Sequence, residues 1–162
     1  MCEDDAMTDA KTMQKCSLFG GLPEEQIENI LLLMNMETFK PGDNIIIEGT
    51  PNDKIFFLME GRVSVIRKEK IIYDLTEGNT FGEMEVLDIM PSAATIRAVN
   101  DVKVMSISNR SLRVIYNHDL KSFTLLLMNL ARDVSRRLRV ANEIIIDGKI
   151  FDSYSSNIFT QD

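Results

Sequence analysis

The sequence has few of the residues that cross-link small proteins or bind metals. It contains two cysteines, Cys2 and Cys16, and one histidine, His118, among 162 residues. Two cysteines make neither a disulfide framework nor a metal site, so we interpret them as reduced thiols of an intracellular protein. The sequence also lacks a Cys/His pair, a nucleophile elbow and a Walker loop. We therefore expect no catalytic residues, no metal site and no enzymatic activity.

Long apolar runs are absent as well. No stretch reaches the roughly 18 apolar residues of a membrane-spanning helix, and residues 1–12 are too acidic and polar for a signal peptide. The net charge is −7, which disfavours non-specific binding to nucleic acid or membranes. These features together predict a cytoplasmic protein with no nucleic-acid and no membrane partner.

The composition is that of a folded protein. Hydrophobic residues make up 44% of the sequence and charged residues 27%, which is typical of a globular domain with its own core. We predict a flexible leader over residues 1–14, one domain over residues 15–142 and a tail over residues 143–162. The domain opens with a helix from about Pro23 to Asn35, since Ile27 and Ile30 recur at helical spacing.

The middle of the domain, residues 36–108, consists of short β-type runs separated by turn residues. Strands at this spacing predict an antiparallel sandwich or barrel, and Lys68-Glu69 and Asn100-Asp101 are short enough to be hairpin turns. The predicted strands are Met36–Lys40, Asn44–Glu48, Ile55–Met59, Arg62–Arg67, Lys70–Leu75, Thr95–Val99 and Val102–Ser108.

Helical pattern returns after the strands. A helix is predicted from Asn109 to about Tyr116, and a longer one over about 119–142. One apolar stripe follows the longer helix at steps of three and four, while arginines occupy another face. The stripe comprises Leu120, Phe123, Leu127, Leu130, Val134, Leu138 and Ala141, and the arginines are Arg132, Arg136 and Arg139.

Thr80 to Ala98 has the composition of a loop that wraps an anion. Phe81-Gly82-Glu83 precedes a segment of helical character over Met84–Ile89, which offers free N–H groups at its start. The stretch then turns at Pro91, and small residues leave room for a ligand. The order and spacing of this stretch and of three earlier segments resemble the cyclic-nucleotide-binding domain family over about residues 16–142. The earlier segments are Lys40-Pro41-Gly42-Asp43, Ile46-Ile47-Glu48-Gly49 and Glu60-Gly61. The resemblance implies a mainly β fold, an antiparallel β-roll of jelly-roll type with an N-terminal helix and C-terminal helices.

The resemblance also implies a pocket. Its candidate residues are Gly82, Glu83, Met84, Glu85, Ser92, Ala93 and Ala94. Glu83 matches the glutamate that grips the ribose in the family. Ser92 stands where the family has the arginine that pairs with the cyclic phosphate. Losing that arginine should lower the affinity for a cyclic nucleotide by roughly ten- to a hundredfold. Glu85 replaces a small residue, and an inward-pointing carboxylate there would repel a phosphate by about 4 kcal/mol, whereas an outward rotamer would not. Arg97 is the nearest alternative cation, and the helical arginines are more remote ones.

We therefore expect a stand-alone, non-catalytic regulatory or sensor module. Its ligand would be a cyclic nucleotide, cAMP or cGMP, or another small anion, bound weakly or in an altered way. The alternative is a ligand-free scaffold of the same fold that interacts with a protein partner or forms a homodimer through the long helix, as in relatives such as catabolite activator proteins. The residues after Asn142 are too few for the helix-turn-helix that those relatives add.

Overall fold

The computed structural model describes residues 10–14 and 16–146. Two four-stranded antiparallel sheets form a β-roll with helices before and after it, so the predicted fold class is confirmed. The strands are β1 Asn35–Phe39, β2 Asn44–Ile46, β3 Lys54–Glu60, β4 Arg62–Arg67, β5 Lys70–Thr76, β6 Thr80–Phe81, β7 Thr95–Ala98 and β8 Val102–Ser108. The helices are α1 Ala10–Gln14, α2 Glu24–Leu31, α3 Glu83–Asp88, α4 Asn109–His118 and α5 Leu120–Ile146.

Strand β3 explains how the two sheets and the helices divide the core. The sheets have the orders β1-β8-β3-β6 and β2-β7-β4-β5. Successive side chains of a strand point to opposite faces, so Ile55 and Phe57 face the helices while Phe56 and Leu58 face the interior of the roll. All four are buried. The helix-side core and the roll interior are thus two separate apolar clusters on either side of one sheet.

The two predicted hairpin turns have different outcomes. Lys68 and Glu69 join β4 to β5 with φ of 49° and 65°, and Arg67 pairs with Lys70. Positive φ at both central residues is the geometry that suits a two-residue hairpin. Asn100-Asp101 does not form a hairpin, because β7 and β8 belong to different sheets. Instead, the Asn100 side chain accepts a hydrogen bond of 2.8 Å from the backbone N–H of Arg62 and fixes this crossover.

The N-terminal segments differ from the prediction in their limits. The leader predicted to residue 14 ends in α1, since Ala10 and Met13 are buried against the helix-side core. Residues 1–9 lie outside the described part. Helix α2 ends at Leu31 rather than near Asn35, because Asn35 already pairs with Ser106 as the first residue of β1.

Helix α5 is longer than predicted and packs on a narrower face. It continues to Ile146, and its buried residues are Ser122, Leu126, Asn129 and Leu130. Of the predicted apolar stripe, Leu120 and Leu138 are exposed, so the stripe is only partly a packing face. Residues 147–162 of the predicted tail lie outside the described part. Within residues 10–14 and 16–146, no helix has both the length and the apolar character needed to span a membrane.

Candidate ligand-binding site

The candidate site is formed where β6 turns into α3. Gly82 is in the left-handed conformation with φ of 78° and precedes the first residue of α3. A Cβ atom at this position would lie 2.7 Å from the carbonyl oxygen of Lys54, so only glycine fits. The Asn52 side chain donates to the Lys54 and Gly82 carbonyls at 2.7 and 3.2 Å, which anchors the turn to the start of β3. This turn therefore holds Glu83, the first residue of α3, in a fixed position relative to the start of β3.

A cavity of about 60 Å³ lies beside this turn. Within the part of the chain that the structure describes, apolar and small side chains from both sheets form most of its wall, and α5 contributes Arg137. The lining residues are Ile46, Val65, Tyr73, Leu75, Phe81, Gly82, Glu83, Met84, Glu85, Ala93, Ala94, Ile96 and Arg137. Six of the seven residues predicted from the sequence therefore meet at one cavity, and Ser92 is not among them.

Glu83 is the buried acid of this cavity. It is only 4% exposed, and its Oε1 atom accepts a hydrogen bond of 2.9 Å from Arg137 Nη1. Its Oε2 atom is buried and has no hydrogen-bond partner among the described residues. Burial raises the pKa of Glu83, while the charge of Arg137 opposes that rise and those of Glu85 and Asp133 add to it. Glu83 is therefore an acceptor with one free oxygen in an apolar setting.

Arg137 connects the long helix to the cavity. Besides Glu83, its guanidinium donates to the Thr80 backbone carbonyl, to Thr80 Oγ1 at 2.9 Å and to Asp133 Oδ2 at 3.0 Å. Asp133 in turn accepts from Arg136 at 2.7 Å, and its pKa is lowered because these hydrogen bonds and charges outweigh its burial. The positive charge of Arg137 is thus shared by two carboxylates. Arg137 fixes α5 against β6 and the start of α3.

Sequence reasoning missed Arg137. It considered the neighbouring Arg132, Arg136 and Arg139, which lie on the exposed surface of α5. Arg137 comes seven residues after the buried Leu130, a spacing that places both on the same face of a helix. That spacing is the signal in the sequence that could have identified it.

Glu85 lies at the cavity and contacts Ala93, which follows Pro91 and Ser92 in the loop after α3. Its Oε1 atom accepts a hydrogen bond of 3.2 Å from the backbone N–H of Ala93, and the residue lines the cavity wall. The backbone N–H of Ala93 is therefore already bonded to a carboxylate of the chain. The side chain thus reaches Ala93, the residue after Ser92, and is itself partly exposed.

Ser92 and Arg97 lie away from the cavity wall. The backbone of Ser92 bonds the turn after β2, donating to Thr50 at 2.9 Å and accepting from Gly49 at 2.8 Å. Its side chain is buried, and its Oγ atom has no partner among the described residues. Arg97 is exposed and donates to Asn44 at 2.9 Å. Neither residue therefore brings a cation to the cavity.

The β-roll, the glycine turn and the buried glutamate at the start of α3 agree with a match to a known family. Residues 36–119, just over half of the chain, match the family model described as "Cyclic nucleotide-binding domain". The chain therefore belongs to the cyclic nucleotide-binding domain family. This family provides regulatory domains of kinases, channels and transcription activators, and kinase relatives carry their catalytic domains outside the part that matches this chain.

Individual relatives agree with the family assignment. The chain is 30% identical to human cGMP-dependent protein kinase 2 over 105 residues, which is 65% of this chain and 14% of the kinase. It is 28% identical to the mouse potassium/sodium hyperpolarization-activated cyclic nucleotide-gated channel 2 over 152 residues, 92% of this chain and 17% of the channel. The chain thus spans less than a fifth of the length of either relative.

A solved structure has the same fold. A cyclic nucleotide-binding domain from Methylobacillus flagellatus superimposes with a TM-score of 0.79 at 22% identity, over 88% of this chain and 83% of that one.

Proposed function

We propose that this domain is a non-catalytic regulatory module whose cavity binds cyclic nucleotides weakly. The observation that carries the proposal is the hydrogen bond from the Ala93 N–H to the Glu85 carboxylate. Cyclic AMP or cyclic GMP would have to displace a negatively charged group of the chain before its phosphate could use that N–H. The cytoplasmic location predicted from composition stays a prediction.

The cations near the cavity support the same conclusion. A diester phosphate needs a positive group and several N–H donors. Ser92 supplies no guanidinium, and Arg137 is the one cationic side chain on the described cavity wall. Because Arg137 is bound to Glu83 and Asp133, a phosphate would have to compete with two carboxylates for it. A missing charged hydrogen bond lowers affinity by roughly ten- to a hundredfold.

Arg137 also gives the domain a route for signalling. It ties α5 to Glu83 in the state described here, so a ligand that binds Glu83 and releases Arg137 would shift the position of α5. A ligand can shift such an equilibrium only by its differential affinity for the two states. Glu83 supplies that difference, since its contact with Arg137 depends on α5 being docked.

The test is the double variant Ser92→Arg with Glu85→Ala. It restores a guanidinium and frees the Ala93 N–H, so we expect at least a tenfold rise in affinity for cyclic AMP or cyclic GMP by calorimetry. Glu85→Ala alone should give a smaller rise and keeps the test valid if arginine disturbs the buried position 92. Ser92→Ala is the matched control and should leave affinity unchanged. Unchanged affinity in both Glu85 variants, or tight binding by the unmodified chain, would contradict the proposal.

A second candidate function is a scaffold or homodimer that uses α5. The last turns of α5 expose Leu138 and Ile145, which share one helix face with Val134 and Ala141 at steps of four, three and four. Exposed apolar side chains at this spacing suit a second helix of the same kind. We expect a dimer by light scattering, lost in Leu138→Glu with Ile145→Glu. Leu32→Glu, at another exposed leucine, is the control, and a monomeric unmodified chain at high concentration would exclude the dimer.

A further inference from the structure

Two exposed surfaces near the cavity carry large apolar side chains. The α3 surface comprises residues 84–90, and the hairpin surface comprises residues 67–72 at the turn from β4 to β5. The exposed apolar residues of the α3 surface are Met84, Leu87, Ile89 and Met90, at 53%, 50%, 86% and 61%. Those of the hairpin surface are Ile71 and Ile72, at 68% and 57%. Apolar side chains grouped in this way mark interaction surfaces, whereas single exposed ones do not.

The charges of the two surfaces are complementary. The hairpin surface has three basic residues and one acid, a net charge of +2, and the α3 surface has two acids, a net charge of −2. These residues are Arg67, Lys68, Lys70 and Glu69 on the first surface, and Glu85 and Asp88 on the second. In residues 10–14 and 16–146, none of them takes part in a salt bridge. Their charges are therefore available to a partner of opposite charge.

Unusual backbone conformations occur in the same two surfaces. Of the non-glycine residues that the structure describes, three have positive φ, namely Lys68, Glu69 and Ile89, at 49°, 65° and 59°. Asn-Gly or Asp-Gly is preferred in a two-residue hairpin turn, and a β-branched residue rarely adopts this conformation. Such residues cluster at functional sites. Here they hold charged side chains at the tip of the hairpin and an exposed isoleucine at the end of α3.

Both surfaces adjoin the same cavity. Tyr73, which follows Ile72 in β5, lines it together with Met84 of the α3 surface. Because adjacent surfaces of opposite charge are exchanged by a two-fold axis between them, a second copy can meet both at once, with its hairpin on α3 and its α3 on the hairpin.

The contact would be made by side chains rather than by strand pairing. Strand β5 is an edge strand, but its register with β4 passes from Ile71 to Tyr73 and leaves Ile72 as an extra residue. Such a bulge disfavours the addition of another strand to this edge.

We propose that these surfaces form the interface of a homodimer, in which the hairpin surface of each copy contacts the α3 surface of the other. The occupant is a second copy because one chain carries both complementary halves. The inference goes beyond the proposed function, which concerns ligand binding in the cavity. It also differs from a dimer through α5, since it uses neither Leu138 nor Ile145.

The experiment reverses the charge of each surface and then mixes the two variants. Lys68→Glu with Lys70→Glu changes the hairpin surface to a net charge of −2, and Glu85→Lys with Asp88→Lys changes the α3 surface to +2. We expect the unmodified chain to dimerise in sedimentation velocity at low salt, and each variant alone to be monomeric. An equimolar mixture should dimerise again, because every contact then joins opposite charges. Raising the salt from about 50 to about 500 mM should weaken the unmodified dimer at least tenfold.

Two controls separate this interface from other effects. Arg113→Glu with Lys121→Glu makes the same change of charge at exposed positions on α4 and α5 and should leave the dimer intact. Leu138→Glu with Ile145→Glu removes the exposed stripe of α5 and alters neither surface, so the dimer should persist in it.

Four results would overturn the inference: a monomeric unmodified chain, a dimer lost in the α5 variant, a dimer kept in the hairpin variant, or a mixture that stays monomeric. If Glu85→Lys disturbs the loop that Glu85 bonds at Ala93, Asp88→Lys alone takes its place in the mixture and should restore part of the dimer. These results are separate from the proposed function, which is judged by nucleotide affinity in calorimetry.

Discussion

The two faces of β3 show two kinds of interior. On the helix side, Phe57 belongs with Phe19 and Ile27 to a large cluster of buried apolar side chains, and α5 also buries two hydrogen-bonded polar residues there, Ser122 and Asn129. On the roll side, the apolar cluster ends at a cavity where Glu83 and Arg137 are paired. Ser122 and Asn129 are neutral, whereas the buried acid at the cavity end is paired with a guanidinium. The helix side therefore gains stability from apolar burial, whereas the ion pair at the cavity end must offset the cost of removing its charges from water.

The largest expected effect is on the helix side. Phe57→Ala removes a side chain that is 2% exposed and should lower the free energy of unfolding by about 3–5 kcal/mol, as measured by urea denaturation. Leu32→Ala, at a residue that is 82% exposed, is the control and should change it by less than about 0.5 kcal/mol. If Phe57→Ala lowered the free energy of unfolding by less than about 1 kcal/mol, the helix-side cluster would not be a main source of stability.

A smaller effect is expected at the cavity end. Arg137→Ala leaves the buried Glu83 without its partner and should lower the free energy of unfolding. We expect a loss of only about 1–3 kcal/mol, because Arg137 itself is partly exposed. Arg136→Ala is the matched control, one residue away and 61% exposed in its side chain, with an expected loss below about 0.5 kcal/mol. If urea denaturation gave equal losses for the two variants, Arg137 would stabilise the fold no more than the exposed Arg136 does.

The smallest effect concerns pH. Burial raises the pKa of Glu83 in the folded state above its ordinary value of 4.5, so the folded chain keeps this proton to higher pH than the unfolded chain does. The contribution of Glu83 to stability is therefore complete below pH 4.5 and declines as pH rises through the folded pKa.

Glu83→Gln lacks this titration, so its stability relative to the unmodified chain should increase from pH 4.5 towards 7, by about 1.4 kcal/mol for each unit of pKa difference. Urea midpoints measured across that range test this expectation. A difference between the two chains that is constant with pH, or that falls, would show that Glu83 is not held in an apolar setting.

Much of the fold could be predicted because local patterns determine it. The limits of β4 and β8 agree with the prediction, since turn residues bound both strands. Strand β6 was missed because Thr80–Phe81 is too short to show alternation. The crossover at Asn100-Asp101 was misread because a turn sequence does not tell which sheet the next strand will join. Pairing between distant strands is a tertiary property that the turn does not encode.

The site could be predicted only in part, for a similar reason. The residues of the turn and of α3 are neighbours in sequence, and Glu83, Glu85, Ala93 and Ala94 do line one cavity. Arg137 is more than fifty positions away, and its role depends on how α5 lies across β6. Several arginines on that helix look alike in the sequence, and only packing selects the one that reaches Glu83.

Asn129 and Arg137 are two of the residues that hold helix α5, and their spacing has a mechanical consequence. Asn129 donates to the carbonyls of Leu18 and Gly20 at 3.0 and 2.8 Å, and Arg137 holds the helix about 12 Å further along at 1.5 Å per residue. Ile146 lies about 25 Å from Asn129 on the same rod. If the contacts of Arg137 break while those of Asn129 remain, α5 can pivot about Asn129. A displacement of the helix at Arg137 is then roughly doubled at Ile146.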